Sequence, residues 1–401
     1  MKHSQGRQSP TSIFDLSYFE LENQMKDLGQ PSFRAKQIWQ WVWQKGCSTF
    51  SQMSNVTREL RHTLAQTYSL ALPELSHLKT SQDLTIKGLL TMNDREEIEW
   101  VLIPEKDHYT LCLSTQAGCS LGCTFCSTGQ MGFHRNLSCG EIASQVLIAR
   151  QVLAQAKTAW PLRNIVFMGM GDPLLNWSQV HKALQVIRDP MGLGFSHRRV
   201  TVSTVGIPDK LEDFAQSQLA SLAVSLHAPT QRLRMQIMPK AAKLLPLPDL
   251  VSRLQQLPLK PRQRVTIEYI LLGGVNDSIT QAKELHRLLA HIKCKINLIS
   301  YNPASDLPYT APASEAVLAF EQLLRAKGQT VTLRKSKGQD IQAACGQLRN
   351  SAGQDRKKLS CREIPERSGY AQTRLCQGQR PGAGHCSRSG QWGSTHAGLH
   401  E

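Results

Sequence analysis

From residue 109 onward the chain alternates short β-rich runs with longer helical ones, and no other feature narrows its fold so far. YTLCLST leads to EIASQVLIARQVLAQA, NIVFMG to WSQVHKALQVIR, and RVTVST to IPDKLEDFAQ; SLAVSLH, RVTIEYILL, ITQAKELHRLLAHI, KINLIS, EAVLAFEQLLRAKG and TVTLRK continue the series. Apolar runs of strand length separated by segments of helical periodicity make a parallel sheet with helical crossovers. Six or so such units predict an α/β fold, a partial (β/α)6 barrel; no G-x-G-x-x-G turn argues for a Rossmann sheet. In such a barrel chemistry gathers at the C-terminal strand ends, here Ser114, Gly169 to Asp172, Ser203, Ser225 to His227, Gly273 and Ser300 to Asn302.

The remainder divides by pattern. Residues 1–80 are expected to form a small helical domain: LENQMKDLG and FRAKQIWQWVWQKG carry helical spacing, with Gly29 and Gly46 placed as helix stops. Trp39, Trp41 and Trp43 offer either a base-stacking platform or, as the expected reading, packing against the next domain. Over 81–104, TIKGLLTM and EEIEWVLIP flank Asn93 and Asp94 and predict a β-hairpin linker that places Glu99 on a strand. The core domain is expected over 105–349. Residues 350–401 hold eight glycines and four Leu, Ile or Val, too few to build a core, and predict a disordered basic tail.

Charge narrows the partner. Lys and Arg number 47 against 31 Asp and Glu, a surplus of 16 that favours a polyanion such as nucleic acid. Between residues 188 and 264 the count is 12 against 5, a net of +7, enough to neutralise phosphates without reading sequence. No apolar stretch approaches the ~18 residues of a membrane span, and MKHSQGRQSP lacks a secretory core, so a soluble cytoplasmic protein is expected.

Eleven cysteines without an export signal point away from a disulfide framework. Eight are scattered, but Cys119, Cys123 and Cys126 form C-x3-C-x2-C in CSLGCTFC, a pattern expected by chance only about 0.01 times in such a chain. They fall on a short loop directly after the first barrel strand, where Gly122 lets the backbone wrap a compact body. Two fillings remain open on the residues alone: zinc with a fourth ligand, His134 being nearest, or a 4Fe-4S cluster with one iron left free for a substrate or cofactor.

C-x3-C-x-F-C after the first barrel strand resembles the radical S-adenosylmethionine (SAM) superfamily, in which SAM chelates the open iron. FRAKQIWQW, CTFCSTGQMGFHRNL, MGMGDPLLN, RRVTVST, VSLHAPT, KINLISYNP and GQDIQAACGQL are similar to the RlmN-type RNA methyltransferases, over roughly residues 13–349. The resemblance implies a radical SAM barrel and methylation of carbon 2 of adenine 2503 in 23S rRNA and of adenine 37 in tRNAs. Carbon 2 has no lone pair with which to attack a methyl group, so a radical route is required.

The implied route is ping-pong and uses two SAM molecules. The position matching the methyl-accepting cysteine is Cys345 in AACGQL. A 5′-deoxyadenosyl radical removes a hydrogen from its S-methyl group, and the carbon radical adds to the base. Glu99 matches the acceptor of the carbon 2 proton, and Cys112 in TLCLS the thiol that releases the product and leaves a disulfide. The resemblance places SAM contacts at Gly171, Asp172, Ser203, Ser225, Leu226, His227 and Asn302, with Asp172 standing where the family usually has Glu. It further implies base flipping from folded RNA held partly by the N-terminal domain, a flavodoxin- or ferredoxin-type electron donor, and a monomer without a membrane partner. Two rivals are Cfr-like methylation of carbon 8 on the same rRNA adenine, and a non-catalytic zinc-binding RNA-interaction protein.

Overall fold

Residues 10–304 and 306–348 are described by this computed structural model; the tail expected over 350–401 lies outside the described residues. After the short strand β1 (Thr11–Ser12), three helices follow: α1 (Tyr18–Asp27), α2 (Phe33–Trp43) and α3 (Arg58–Thr67). α1 starts at a capping box, in which Ser17 and Glu20 satisfy each other's backbone amides. Gly29 and Gly46, at φ 65° and 60°, end α1 and α2 in the left-handed conformation that glycine adopts without strain. β2 (Tyr68–Ser69) pairs with β1.

Trp39 and Trp43 are buried and meet edge to face at 5.8 Å. Trp39 Nε1 also donates to Asp189 Oδ2 at 2.8 Å, and Trp41 stacks under Lys45, so these rings pack and anchor rather than present a free platform. Further ties run to the core. Gly140 N donates to Asp15 Oδ1 at 2.8 Å, and Lys182 pairs with Glu20 at 2.9 Å.

Four strands come next: β3 (Glu74–Thr80), β4 (Ile86–Thr91), β5 (Glu97–Pro104) and β6 (Tyr109–Cys112). The expected hairpin is β4–β5. β3, a stretch assigned from sequence to the helical segment, adds a third antiparallel strand before it, because ELSHLKT pairs from Glu74 to Thr80 along β4. β7 (Gln116–Gly118), the one-turn helix α4 (Ser127–Gln130) and β8 (Phe133–Asn136) follow, β7 and β8 pairing as a small hairpin around the cysteine loop.

The alternating part then runs α5 (Cys139–Gln155), β9 (Leu162–Phe167), α6 (Trp177–Arg188), β10 (Val200–Thr204), α7 (Lys210–Ser217) and β11 (Ser221–Ser225). It continues through α8 (Gln231–Ile237), α9 (Pro239–Leu244), α10 (Leu247–Gln256), β12 (Val265–Leu271), α11 (Ile279–Leu289), β13 (Cys294–Ser300), α12 (Ser314–Ala326) and β14 (Val331–Arg334). The sheet order is β14-β13-β12-β11-β10-β9-β6-β5-β4-β3, with every pair from β6 to β14 parallel and β3 to β6 antiparallel.

Seven strands are parallel where six or so units were expected, β6 and β14 forming the two four-residue ends of that set. This is an α/β fold whose sheet remains open, extended on one side by the antiparallel linker. Central strands are apolar on both faces, β12 being buried along its whole length, as a sheet covered by helices requires. Helices α8 to α10 escaped the sequence pattern because PTQRLRMQIMPKAAKLLPLPDL is broken by prolines that open rather than end them: Pro239 and Pro248 stand in the first turns of α9 and α10.

Candidate active site

The residues singled out from sequence converge on the carboxyl edge of the parallel strands. Cys112 ends β6, Gly171 and Asp172 follow β9, Ser203 lies near the end of β10, Ser225 ends β11 with Leu226 and His227 just beyond, and Asn302 follows β13. Parallel pairing brings all these ends to one side.

Cys119, Cys123 and Cys126 sit on the loop between β7 and α4. Gly118, at φ 74°, and Gly122, at φ 60°, turn this loop, and Cys119 N donates to Gly132 O at 2.7 Å to fix its start. Burial pushes the Cys119 thiol up to about 12 and the Cys123 thiol well above its ordinary value, and the neighbouring cysteine sulfurs push in the same direction. Three thiolates packed in such a recess repel one another and lack solvation, so only a body that supplies positive charge makes them stable together. An iron–sulfur cluster meets that requirement. His134 does not join the set: its Nδ1 lies 2.8 Å from Glu96 Oε2 on the hairpin surface. Among the described residues no three His, Cys, Asp or Glu side chains converge on one ion-sized point.

Arg234 stands behind the cluster loop, fully buried, donating to Leu245 O at 2.9 Å and Val205 O at 2.7 Å while favouring the charged form of Cys123. It belongs to the basic stretch 188–264 but faces inward, as a structural cation rather than a phosphate contact.

The expected SAM positions lie at the ends of β9, β10, β11 and β13. Gly171, at φ 88°, has room for no side chain, since a Cβ would meet Gln116 at 2.5 Å. Asp172 turns its carboxylate back into the protein: Thr204 Oγ1, Leu174 N and Val205 N all donate to it within 3.0 Å. Burial pushes its carboxyl up to about 6 against those hydrogen bonds. Ser203 and Ser225 hydroxyls are 3.3 Å apart on adjacent strands. His227, at φ 57°, accepts from Ile270 N at 3.1 Å and meets the Phe125 ring of the cysteine loop edge to face at 5.2 Å. Leu226 is fully buried, its amide donating to Glu268 O at 3.1 Å and its carbonyl accepting from Ala228 N at 2.8 Å. Asn302 donates to Ser336 Oγ at 2.9 Å and accepts from Gln339 Nε2 at 2.7 Å, tying β13 to the last loop.

That last loop carries Cys345. Ser127 N donates to Gly346 O at 2.7 Å and Thr128 Oγ1 to Leu348 O at 2.5 Å, which pins the AACGQL segment against the residue following Cys126. Gln347 Nε2 donates to Pro303 O at 3.1 Å from the other side. Cys112 is buried; burial first and then the Cys345 sulfur push its thiol up to about 12, while Arg334 opposes. The Arg334 guanidinium is itself held more firmly protonated, first by Cys345 and then by Glu268 and Cys112. Glu99 is buried on β5, its Oε1 3.1 Å from Lys87 Nζ.

Lys87, Arg334, Arg234 and Thr204 were missed from sequence. For Lys87 a signal existed, a lysine inside the apolar run TIKGLL; Arg234 looked like one more surface charge.

Comparisons with known proteins bear on the family of the chain. The model of the ribosomal RNA large subunit methyltransferase N-terminal domain matches residues 11–70, and that of the radical SAM superfamily matches residues 113–286. The chain is 52% identical over 339 residues to a dual-specificity RNA methyltransferase RlmN of Solidesulfovibrio magneticus, covering 84% of this chain and 96% of that one. It is 51% identical over 362 residues to the corresponding protein of Nitratidesulfovibrio vulgaris strain Miyazaki F, covering 88% and 98%. Among solved structures, a radical SAM methyltransferase from Sphaerobacter thermophilus superposes with a TM-score of 0.80 at 38% identity, covering 85% of this chain and 99% of that one. No helix among the described residues is long and apolar enough to cross a membrane.

Proposed function

The chain belongs to the RlmN family of dual-specificity RNA methyltransferases, and from that membership we propose how its residues divide the reaction on carbon 2 of adenine in 23S rRNA and tRNA. It is a radical SAM RNA methyltransferase that depends on a 4Fe-4S cluster and SAM. When bound, these supply the one-electron chemistry that takes a hydrogen atom from a methyl group. Cys119, Cys123 and Cys126 hold the cluster. Gly171, Ser203, Ser225, Leu226, His227 and Asn302 border the SAM site, and Asp172 sets the turn against which SAM packs.

Cys345 receives a methyl group on sulfur by displacement at SAM and carries it to the base. Its S-methylene radical adds to carbon 2, Glu99 accepts the proton that carbon 2 loses, and the one electron left in excess on the adduct would return to the bound cluster. Cys112 then attacks the Cys345 sulfur: the bond from sulfur to the methylene breaks, a disulfide forms, and the carbon takes up a proton to become the methyl group. Arg334, at the end of β14, favours the thiolate form of Cys112. The helical segment over 1–80 helps hold folded RNA, the core over 105–349 performs the chemistry, and a flavodoxin- or ferredoxin-type protein supplies electrons.

The observation that carries this reading is the docking of the Cys345 loop onto α4 beside Cys126, with Cys112 within electrostatic reach of Cys345. Mass spectrometry of Cys345 in anaerobically purified protein, beside a Cys112→Ala variant, tests it. S-methylcysteine at Cys345 and RNA covalently trapped in the variant are expected. An unmodified Cys345 in cluster-bearing protein, with no trapped RNA, overturns the assignment.

A further inference from the structure

Lys87 is the second residue of β4 and is only 8% exposed. A lysine is seldom buried without a partner. Its Nζ lies 3.1 Å from Oε1 of Glu99, itself 3% exposed, and donates to the backbone oxygen of Gln342 at 3.2 Å. Strand register accounts for the first contact. Leu89 pairs with Glu99, and Lys87 pairs with Val101, which on its other side pairs with Cys112. Directly opposed residues share a face, so ammonium, carboxylate and thiol stand on one side of the sheet.

The second contact reaches the loop that leads to Cys345, and the turn between β3 and β4 grips that loop as well. Ser81 Oγ donates to Asp340 Oδ1 at 2.5 Å, Gln82 N to Asp340 Oδ2 at 3.1 Å, and Gly338 N to Asp83 Oδ2 at 2.9 Å. The linker therefore holds the loop at two places, and at one of them the same ammonium also holds Glu99.

We propose that Lys87 is a positioning residue that locks the proton acceptor Glu99 to the loop bearing Cys345, so that base and protein–RNA adduct keep a fixed separation. The proposal rests on the reading of Glu99 given above. In the step it serves, the carbon 2–hydrogen bond breaks, the proton passes to the Glu99 carboxylate, and the electron pair stays with the ring. Methylation of Cys345 needs no proton acceptor at Glu99, so the two half-reactions separate the effect of Lys87 from general damage.

The test uses full-length, cluster-reconstituted protein with SAM and tRNA, following S-methylation of Cys345 by mass spectrometry and the protein–RNA adduct on denaturing gels. Lys87→Gln should methylate Cys345 as the wild type does yet clear the adduct about ten- to a hundredfold more slowly, the usual cost of a displaced catalytic group. Lys87→Arg, which restores a cation of similar reach, should recover most of the rate, and Glu99→Gln run alongside should accumulate adduct. Normal clearance in Lys87→Gln while Glu99→Gln still accumulates adduct overturns the proposal alone, as does an Arg variant no better than Gln. Normal clearance in Glu99→Gln instead removes the base assignment. Hydrogen exchange over residues 338–347 in cofactor-free protein gives a second reading. Faster exchange in Lys87→Gln, with protection restored in Lys87→Arg, supports the lock, and wild-type protection in Lys87→Gln overturns it.

Discussion

Thr204 donates its hydroxyl to the carboxylate of Asp172, with Oγ1 at 2.9 Å from one oxygen and 3.0 Å from the other. Together with the amides of Leu174 and Val205 this joins the end of β10 to the turn after β9, the two segments that border the proposed SAM site. Asp172→Ala strips the acceptor from two buried amides and a hydroxyl. The expected loss is about 2–4 kcal/mol in a denaturant titration, since each abandoned buried donor costs about 1–3 kcal/mol. A loss below about 0.5 kcal/mol would mean that water replaces the carboxylate without strain.

The cysteine loop depends on a close backbone approach. At Gly118 a Cβ would lie 2.0 Å from Gly132 O, the atom that also accepts from Cys119 N, and φ is already 74°. Gly118→Ala must therefore open the β7–β8 hairpin and shift the first cluster ligand. Iron content and absorbance near 400 nm after reconstitution should fall by about half or more, with a stability cost of about 2 kcal/mol. Full iron loading in a protein of wild-type spectrum would refute this.

Glu20 on α1 and Lys182 on α6 pair at 2.9 Å, one of the ties between the N-terminal helices and the core. The hydrogen bond from Lys182 holds the Glu20 carboxyl down at about 2, against an ordinary value of 4.5. A carboxylate with a depressed folded pKa contributes stability above its unfolded value and loses it as pH falls through the folded one. The stability difference between wild type and Glu20→Gln should accordingly be full at pH 7 and vanish between about pH 4.5 and 2. Both side chains are more than a third exposed, so the full difference is small, about 0.5 kcal/mol, and salt reduces it. Chemical denaturation at several pH values measures it.

His227 accepts from Ile270 N through Nδ1, which places its proton on Nε2. Burial, aided by the Arg234 charge, pushes its pKa down to about 3. Nitrogen-15 NMR should find the neutral Nε2-protonated ring from pH 8 to pH 5. The unfolded chain takes up a proton near 6.5 and the folded one only near 3, so wild-type stability relative to His227→Gln should decline as pH drops through that window. A ring that titrates near 6.5 in the folded protein would contradict the packing described.

Much of this molecule is written locally. The alternation from residue 109 specifies parallel strands and crossover helices, because apolar runs and helical periodicity are properties of neighbouring residues. The spacing of Cys119, Cys123 and Cys126 marks a cluster loop for the same reason, and Glu99 and Cys112 could be set on their strands before any contact was known. What a local pattern does not carry is the partner of a buried charge. Lys87 and Arg234 read as ordinary basic residues until β4 pairs with β5 and α8 packs behind the cysteine loop. Asp172, expected as a SAM contact, accepts a hydrogen bond from Thr204, 32 residues onward.

The meeting of Cys345 with Cys126 and Cys112 was likewise inferred from sequence only through resemblance. It is produced physically by Ser127, Thr128, Lys87 and Asp340, which seize the final loop from two separate parts of the fold. The sequence alone determined the alternation of strands and helices and the unusual cysteine spacing, since these rest on neighbouring residues, while the cluster and its chemistry came from resemblance to a family. Only the tertiary structure decided which charges are spent inside the protein and which side chains hold the last loop over the site, because hydrogen bonds and ion pairs between residues up to 259 positions apart exist only once the sheet has formed.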